Sequence, residues 1–205
     1  MKLGWPVLVG LVLLGLGVGG AVAWASARPP AEGSPEVRFA RDMSAHHAQA
    51  VDMSVTLLKL SSDPAVRLLA QDITLTQQAQ IGQMSGWLMA WNRPLAGLEP
   101  PMAGMSREAM GLASVTDVQE LEHLPPTVAE SRYLVLMRRH HLGGVTMAKA
   151  ALNTVKSRPV RAFAQRVVVS QTAEIGAIDA LLGQRALTPP ASSPDNTDME
   201  DMNHE

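Results

Sequence analysis

Two stretches of this sequence repeat one another at a constant offset of 94 residues, as from His46 to His140. Each copy has the pattern aromatic-x3-Met-x2-His-His-x5-Met. The members are Phe39, Met43, His46, His47 and Met53 in the first copy, and Tyr133, Met137, His140, His141 and Met147 in the second. Four of the chain's 6 histidines fall in these motifs. A repeat of this kind indicates a duplicated structural unit whose copies pack together.

The residues around the first motif predict a pair of helices. Ser34 followed by Pro35 is typical of a helix start, with serine as the cap and proline in the first turn. The segment 61–64 ends this helix and caps the next one, which Asn92-Arg93-Pro94 ends in turn. The first unit is therefore a helical hairpin.

The second motif is surrounded by the same kinds of signal. Thr127 and Glu130 have the spacing of a capping box, and Arg158-Pro159 opens the second helix of the unit. A single hairpin cannot bury its apolar stripe alone, whereas two can pack as a four-helix bundle. We therefore predict an all-α fold, a four-helix bundle made of two repeated helical hairpins.

The bundle is expected over residues 35–185. Its predicted parts are units at 35–92 and 127–185 and a connector at 93–126, with short helices possible at 107–113 and 117–123. In an up-down-up-down bundle the two motif helices would be parallel and diagonal, although so long a connector permits another arrangement.

The N-terminus predicts export. After Lys2, residues 7–25 carry no charge and end in small residues, as in a secretory signal or an N-terminal membrane anchor. We assign 1–25 to that segment, 26–34 to a linker and 186–205 to a disordered acidic tail. The predicted location is extracytoplasmic, in the periplasm or cell envelope, secreted or anchored to the membrane through the uncleaved segment.

The motif residues share one face of their helix. At about 100° per residue, Met43, His46, His47 and Met53 fall within roughly 120°, the width of a stripe that faces a core. Buried polar groups need partners. Gln77 or Gln171 could satisfy one histidine pair, but two identical pairs flanked by methionine favour a metal site.

The donor types favour copper. Thioether and imidazole together suit Cu(I), and imidazole alone suits Cu(II). The chain has 12 Met and no Cys, and methionine is a soft ligand that persists where thiols would be oxidised. The predicted metal ligands are Met43, His46, His47, Met53, Met137, His140, His141 and Met147. Met53 and Met147 could instead be packing residues only.

Other functions are less well supported. A net charge of -2 with 3% aromatic residues argues against a nucleic-acid partner. A ferritin-like metal oxidase needs repeated inward carboxylates, which the two units lack, and Glu120-x-x-His123 has no repeated partner. Non-covalent haem binding and a structural bundle with hydrogen-bonded core histidines stay open. We therefore predict a non-enzymatic protein that binds, buffers or hands on copper.

The repeated Met-x2-His-His pattern, followed each time by a second helix with Gln-x2-Gln-Ile or Gln-x2-Glu-Ile, resembles the domain of unknown function 305 (DUF305) family over about residues 35–183. The segment 101–106, with Met102 and Met105, is similar to that family's Met-x-Gly-Met segment. The resemblance implies exported, ferritin-like bundles, some of which are linked to copper.

The resemblance also implies roles for individual residues. Those implied as metal-site residues are Met43, His46, His47, Met137, His140 and His141, and those implied to lie beside the site are Gln77, Gln171 and Glu174. We also expect Met84 to lie beside the site. Met102 and Met105 are either accessory metal ligands or packing residues of the connector. Gln80 stands where the family commonly has Glu, and Ile178 stands opposite Met84, so the two halves are not expected to be equivalent.

Overall fold

All regular structure within residues 28–185, the part of the chain that the computed structural model describes, is helical. The helices are α1 (Pro35–Leu60), α2 (Pro64–Ala90), α3 (Val115–Leu121), α4 (Pro126–Thr154) and α5 (Arg158–Gln184). This confirms the all-α prediction. Residues 32–185 belong to one compact unit, and of the unit formed by residues 1–31 only 28–31, which contain no helix, are described.

The predicted signal or anchor (1–25) and the predicted acidic tail (186–205) lie outside the described residues. Among the helices of residues 28–185, none combines the length and the apolar character needed to cross a membrane.

The first hairpin begins as the sequence predicts. The Ser34 side chain accepts a hydrogen bond from the Val37 amide, and Pro35 occupies the first turn of α1. At the start of α2, Asp63 accepts from the amides of Ala65 and Val66. These caps satisfy amides that have no partner inside the helix, so both helix starts are fixed locally.

The predicted capping box at the start of α4 is wrong. The helix begins at Pro126 with no side-chain cap. Glu130 instead accepts a 2.6 Å hydrogen bond from the Ser61 hydroxyl at the end of α1. The carboxylate is thus used for a contact between the two halves of the molecule.

The two motif helices, α1 and α4, pack directly against each other and run antiparallel. The start of α1 meets the end of α4, where Glu36 accepts hydrogen bonds from the amides of Lys156 (2.7 Å) and Ser157 (3.2 Å). The end of α1 meets the start of α4 at Ser61 and Glu130. The expected parallel, diagonal arrangement is therefore wrong, and the histidines meet at the crossing of adjacent helices.

Two apolar clusters fill the bundle, one on each side of the histidines. One cluster includes Met53, Tyr133 and Met137, and the other includes Met43 and Met147. Because the helices are antiparallel, each cluster combines the leading methionine of one motif with the trailing methionine of the other. The histidine pairs lie between the methionines along both helices and form a polar layer in the middle of the bundle.

The connector, residues 91–125 between α2 and α4, lies against both motif helices. Its only helix in the described chain is α3, which starts with a capping box between Ser114 and Asp117. The prediction of another short helix, at 107–113, is wrong, because this segment forms turns. The Gln49 side chain on α1 exchanges two hydrogen bonds with the backbone of Ala113, of 3.0 and 2.8 Å.

On α4 the connector approaches backbone to backbone. A Cβ atom at Gly143 would lie 1.8 Å from the Met110 carbonyl oxygen, and one at Gly111 would lie 2.0 Å from the Arg139 carbonyl oxygen. Gly111 also has a positive φ of 65°. Both positions therefore require glycine, and the connector is held closely over the histidine layer.

Candidate metal centre

Four buried imidazoles form the middle of the bundle. His46, His47, His140 and His141 all have 0% of their surface exposed. The rings of His46 and His140 stack across the α1–α4 crossing with centroids 3.8 Å apart and an interplanar angle of 29°. Within each pair the centroids are 6.3 Å (His46 and His47) and 6.2 Å (His140 and His141) apart.

Three of the imidazoles have a hydrogen-bond acceptor at Nε2. The His46 Nε2 donates to the Met110 carbonyl oxygen of the connector at 2.9 Å. The His140 Nε2 donates to the carbonyl oxygen of His46 at 3.0 Å. The His141 Nε2 contacts the Glu174 carboxylate on α5 at 2.7 Å. Three different segments of the chain therefore orient these rings.

Burial keeps His46, His47 and His140 neutral at pH 7. It lowers the pKa of His46 to about 4, against the opposing hydrogen bond to the Met110 carbonyl. The pKa of His47 falls to about 3 because of burial and the neighbouring His46. Burial and the other three histidines place the pKa of His140 well below its ordinary value. A neutral imidazole has a free nitrogen lone pair, which is the form that binds metals.

The layer is not satisfied by hydrogen bonds. In residues 28–185, every buried side-chain nitrogen or oxygen without a hydrogen-bond partner belongs to this layer. These atoms are Nδ1 of His46, His140 and His141, both ring nitrogens of His47, and both amide atoms of Gln77 and Gln171. Gln80 lies near enough to His47 to oppose its pKa shift, but it forms no hydrogen bond of normal geometry with the ring. Unpaired buried polar atoms are costly, so this concentration makes the layer the candidate site for a ligand.

The glutamines do not satisfy the histidines as the sequence suggested they might. Gln171 packs beside the backbone of Gly144, where a Cβ would lie 2.2 Å from the Gln171 Oε1 atom. Gln77 is equally buried on α2. Both amides are therefore buried with hydrogen-bonding capacity left over.

The methionines flank the imidazoles. Met43, Met53, Met84 and Met137 are fully buried, and Met147 is 6% exposed. Met102 and Met110 of the connector pack against the cluster that contains Met43, whereas Met105 is 40% exposed. Met43 and Met137 are thus buried in the two apolar clusters, whereas Met105 lies on the surface.

Carboxylates contribute little to the layer. In the described part of the chain, no group of three or more His, Asp or Glu side chains is arranged to hold a metal ion. Glu174, whose side chain is 12% exposed, contacts the layer through His141. A hard cation, which prefers several oxygen ligands, does not fit this donor set.

Sequence reasoning missed the Met110 carbonyl, because a backbone acceptor has no side-chain signature. The adjacent glycines at 143 and 144, in the middle of a helix, are the signal that could have indicated a close approach by another segment.

The fold and the buried layer define a class of protein, namely helical bundles built from two hairpins with histidine and methionine at their centre. The chain belongs to the DUF305 family, whose model, described as a domain of unknown function, matches residues 36–182. None of the proteins with curated descriptions matches the chain.

Solved structures show the same fold. A DUF305 protein from Streptomyces coelicolor, provisionally described as secreted, is 39% identical, with a TM-score of 0.74 over 79% of this chain and 100% of that one. A DUF305 fragment from Deinococcus radiodurans is 37% identical, with a TM-score of 0.68 over 76% and 99%. CopM in its Cu(I)-bound form is 22% identical, with a TM-score of 0.60 over 74% and 97%.

Proposed function

We propose that this protein binds copper outside the cytoplasm and buffers it or hands it on, with Cu(I) preferred and Cu(II) also accepted. The observation that carries the proposal is the set of unpartnered nitrogens on four fully buried histidines. A bundle with a merely structural histidine layer would pair these atoms, because each unpaired group costs about 1–3 kcal/mol.

The residues present fit a soft metal. The imidazoles of His46, His47, His140 and His141 would hold it, with the thioethers of Met43 and Met137 as further ligands and those of Met53 and Met147 as weaker candidates. Uncharged thioether ligands and neutral imidazoles need no proton release, and they stabilise the monovalent ion. Met102 and Met105 would serve as accessory ligands at the connector.

The relatives support the metal and the location. Solved structures of CopM hold Cu(I), Cu(II) or silver, and they share the fold of this chain. The provisional description of the Streptomyces coelicolor relative as secreted agrees with the export signal expected at residues 1–25.

Anaerobic calorimetric titration of the full chain with Cu(I) tests the proposal. We expect binding that is lost when His46, His47, His140 and His141 are replaced together by Gln, which is polar and helix-compatible. The matched control is His123→Gln, because His123 is exposed in the connector and should leave binding unchanged. Circular dichroism verifies that each variant is folded.

Two outcomes would contradict the proposal. Binding that survives the fourfold substitution would exclude the histidine layer as the site. A melting temperature that Cu, Zn and Ni all leave unchanged would favour a structural or interaction bundle instead, because a ligand that binds only the folded state raises the melting temperature.

A further inference from the structure

The hydrogen bonds of three histidines in the layer are all made by the ring nitrogen Nε2. The acceptors of the Nε2 groups are the Met110 carbonyl for His46, the His46 carbonyl for His140 and the Glu174 carboxylate for His141. A carbonyl or carboxylate oxygen can only accept, so each of these Nε2 atoms carries a proton, which is the only ring proton in the neutral form that binds a metal. The lone pair is then on Nδ1.

The same three rings have a buried Nδ1 with no partner. The tautomer that the acceptors select thus leaves a bare lone pair inside the bundle, where it cannot be hydrated. We infer that His46, His140 and His141 offer Nδ1, and not Nε2, to a soft cation, and that Glu174 is a positioning residue that presets His141 in this form. This inference rests on the proposed copper-binding function.

The first unit lacks the equivalent of this carboxylate. Gln80 occupies the position that corresponds to Glu174, and His47 corresponds to His141. An amide side chain can donate or accept, so it does not dictate which nitrogen of His47 is protonated. Neither His47 nitrogen is hydrogen-bonded. An acceptor behind a ligating imidazole fixes its orientation and strengthens it as a donor, so His141 is the stronger ligand of the two.

The tautomers can be measured in the metal-free protein. In the full chain with 15N-labelled histidine, long-range proton–nitrogen correlation spectra distinguish a protonated ring nitrogen from a bare one. We expect His46, His140 and His141 to be protonated at Nε2. A form protonated at Nδ1 in any of the three would overturn the inference without involving metal.

Cu(I) is diamagnetic and can be added anaerobically to the same sample. We expect the Nδ1 signals of the three histidines to shift while their Nε2 protons are retained. A shift at Nε2 with loss of its proton would overturn the inference and leave the proposed function standing. If no histidine nitrogen shifts, the inference and the proposed function are both wrong.

Variants at Glu174 and Gln80 distinguish a positioning role of the carboxylate from a general effect of its negative charge. Glu174→Gln should give His141 a mixture of tautomers and weaken Cu(I) binding by about tenfold. The fold should tolerate it, because glutamine already stands at the equivalent Gln80. The reciprocal Gln80→Glu should place the His47 proton on Nε2.

The matched control is Asp179→Asn, which removes a carboxylate from the same helix. Asp179 pairs with Arg138 at 2.5 Å. It should leave both the tautomers and the affinity unchanged. If Glu174→Gln behaves like Asp179→Asn, the positioning role of Glu174 is wrong.

Discussion

The two halves of the molecule come from one repeat, yet they are alike at the ends of the bundle and different in its middle. At the ends, Glu36 and Glu130 occupy equivalent positions, and each accepts hydrogen bonds from the turn between the helices of the other half. In the middle, His141 has Glu174 as its partner, whereas His47 has no hydrogen bond. The ends of the bundle therefore follow the repeat, whereas its middle departs from it.

The connector adds to this asymmetry, because it contacts α1 and α4 in different ways. On α1 it is bound by the Gln49 side chain, and at the equivalent position on α4 it rests on Gly143 with no side chain between. The tight contact is therefore confined to the half that also contains Glu174.

The largest expected effect tests this contact. Gly143→Ala would place a methyl group 1.8 Å from the Met110 carbonyl oxygen, so we expect it to lower the free energy of unfolding by about 3 kcal/mol. Gln49→Ala, at the equivalent position, should cost about 1 kcal/mol through its lost hydrogen bonds. Urea unfolding measures both free energies. Equal costs would show that the connector is held no more tightly on α4 than on α1.

The next effect concerns the ends of the bundle. Glu36→Gln should cost about 1–2 kcal/mol at neutral pH, because the amides of Lys156 and Ser157 lose a charged acceptor. Burial raises the pKa of Glu36, but these hydrogen bonds outweigh it and hold the pKa below its usual 4.5.

The pH dependence of that effect has a definite sign. A carboxylate whose pKa is lower in the folded state stabilises the protein above its unfolded pKa and loses that contribution in acid. The difference between wild type and Glu36→Gln should therefore narrow as the pH falls below 4.5. Urea unfolding of both proteins across this range measures it, and a constant difference would contradict the prediction. Effects common to both proteins, such as histidine protonation, cancel.

A smaller effect distinguishes the two apolar clusters. Tyr133 is fully buried and its hydroxyl hydrogen-bonds to Ser54 at 2.9 Å, whereas the equivalent positions hold Phe39 and Ala148. Tyr133→Phe and Ser54→Ala should each cost about 1 kcal/mol by leaving a buried hydroxyl unpaired. The double variant, which copies the other half, should cost less than the sum. Strict additivity in thermal unfolding would show that the hydroxyl pair contributes nothing.

The smallest effect should be the same in both halves. Gly82 and Gly176 occupy equivalent exposed positions in α2 and α5, and a Cβ at either would meet no atom within 4 Å. Gly82→Ala and Gly176→Ala should each stabilise the protein by about 0.5–1 kcal/mol through helix propensity. Chemical denaturation measures both stabilisations. A marked difference between them would show that the two halves also differ at their exposed surfaces.

The sequence predicted the elements of this fold better than their packing. Proline and capping residues defined the helix starts, and the spacing of the motif placed the histidines on a buried face. That face is a property of one helix, so it could not show whether its partner runs parallel or antiparallel. Glu36 and Glu130 connect the ends of the antiparallel helices, but neither signals this role in the sequence. Glu36 lies in a first helical turn, where acids are common, and Glu130 has the spacing of a capping box.

The close contact between the connector and Gly143 has a consequence for the rate at which a bound ion would exchange. The four imidazoles have no exposed surface, so an ion bound by them, as proposed, would have no direct path to solvent in the folded bundle. Uptake and release would then be paced by a local unfolding step in which residues near Gly111 lift from α4. A protein of this kind would retain its cargo for long periods even at modest affinity.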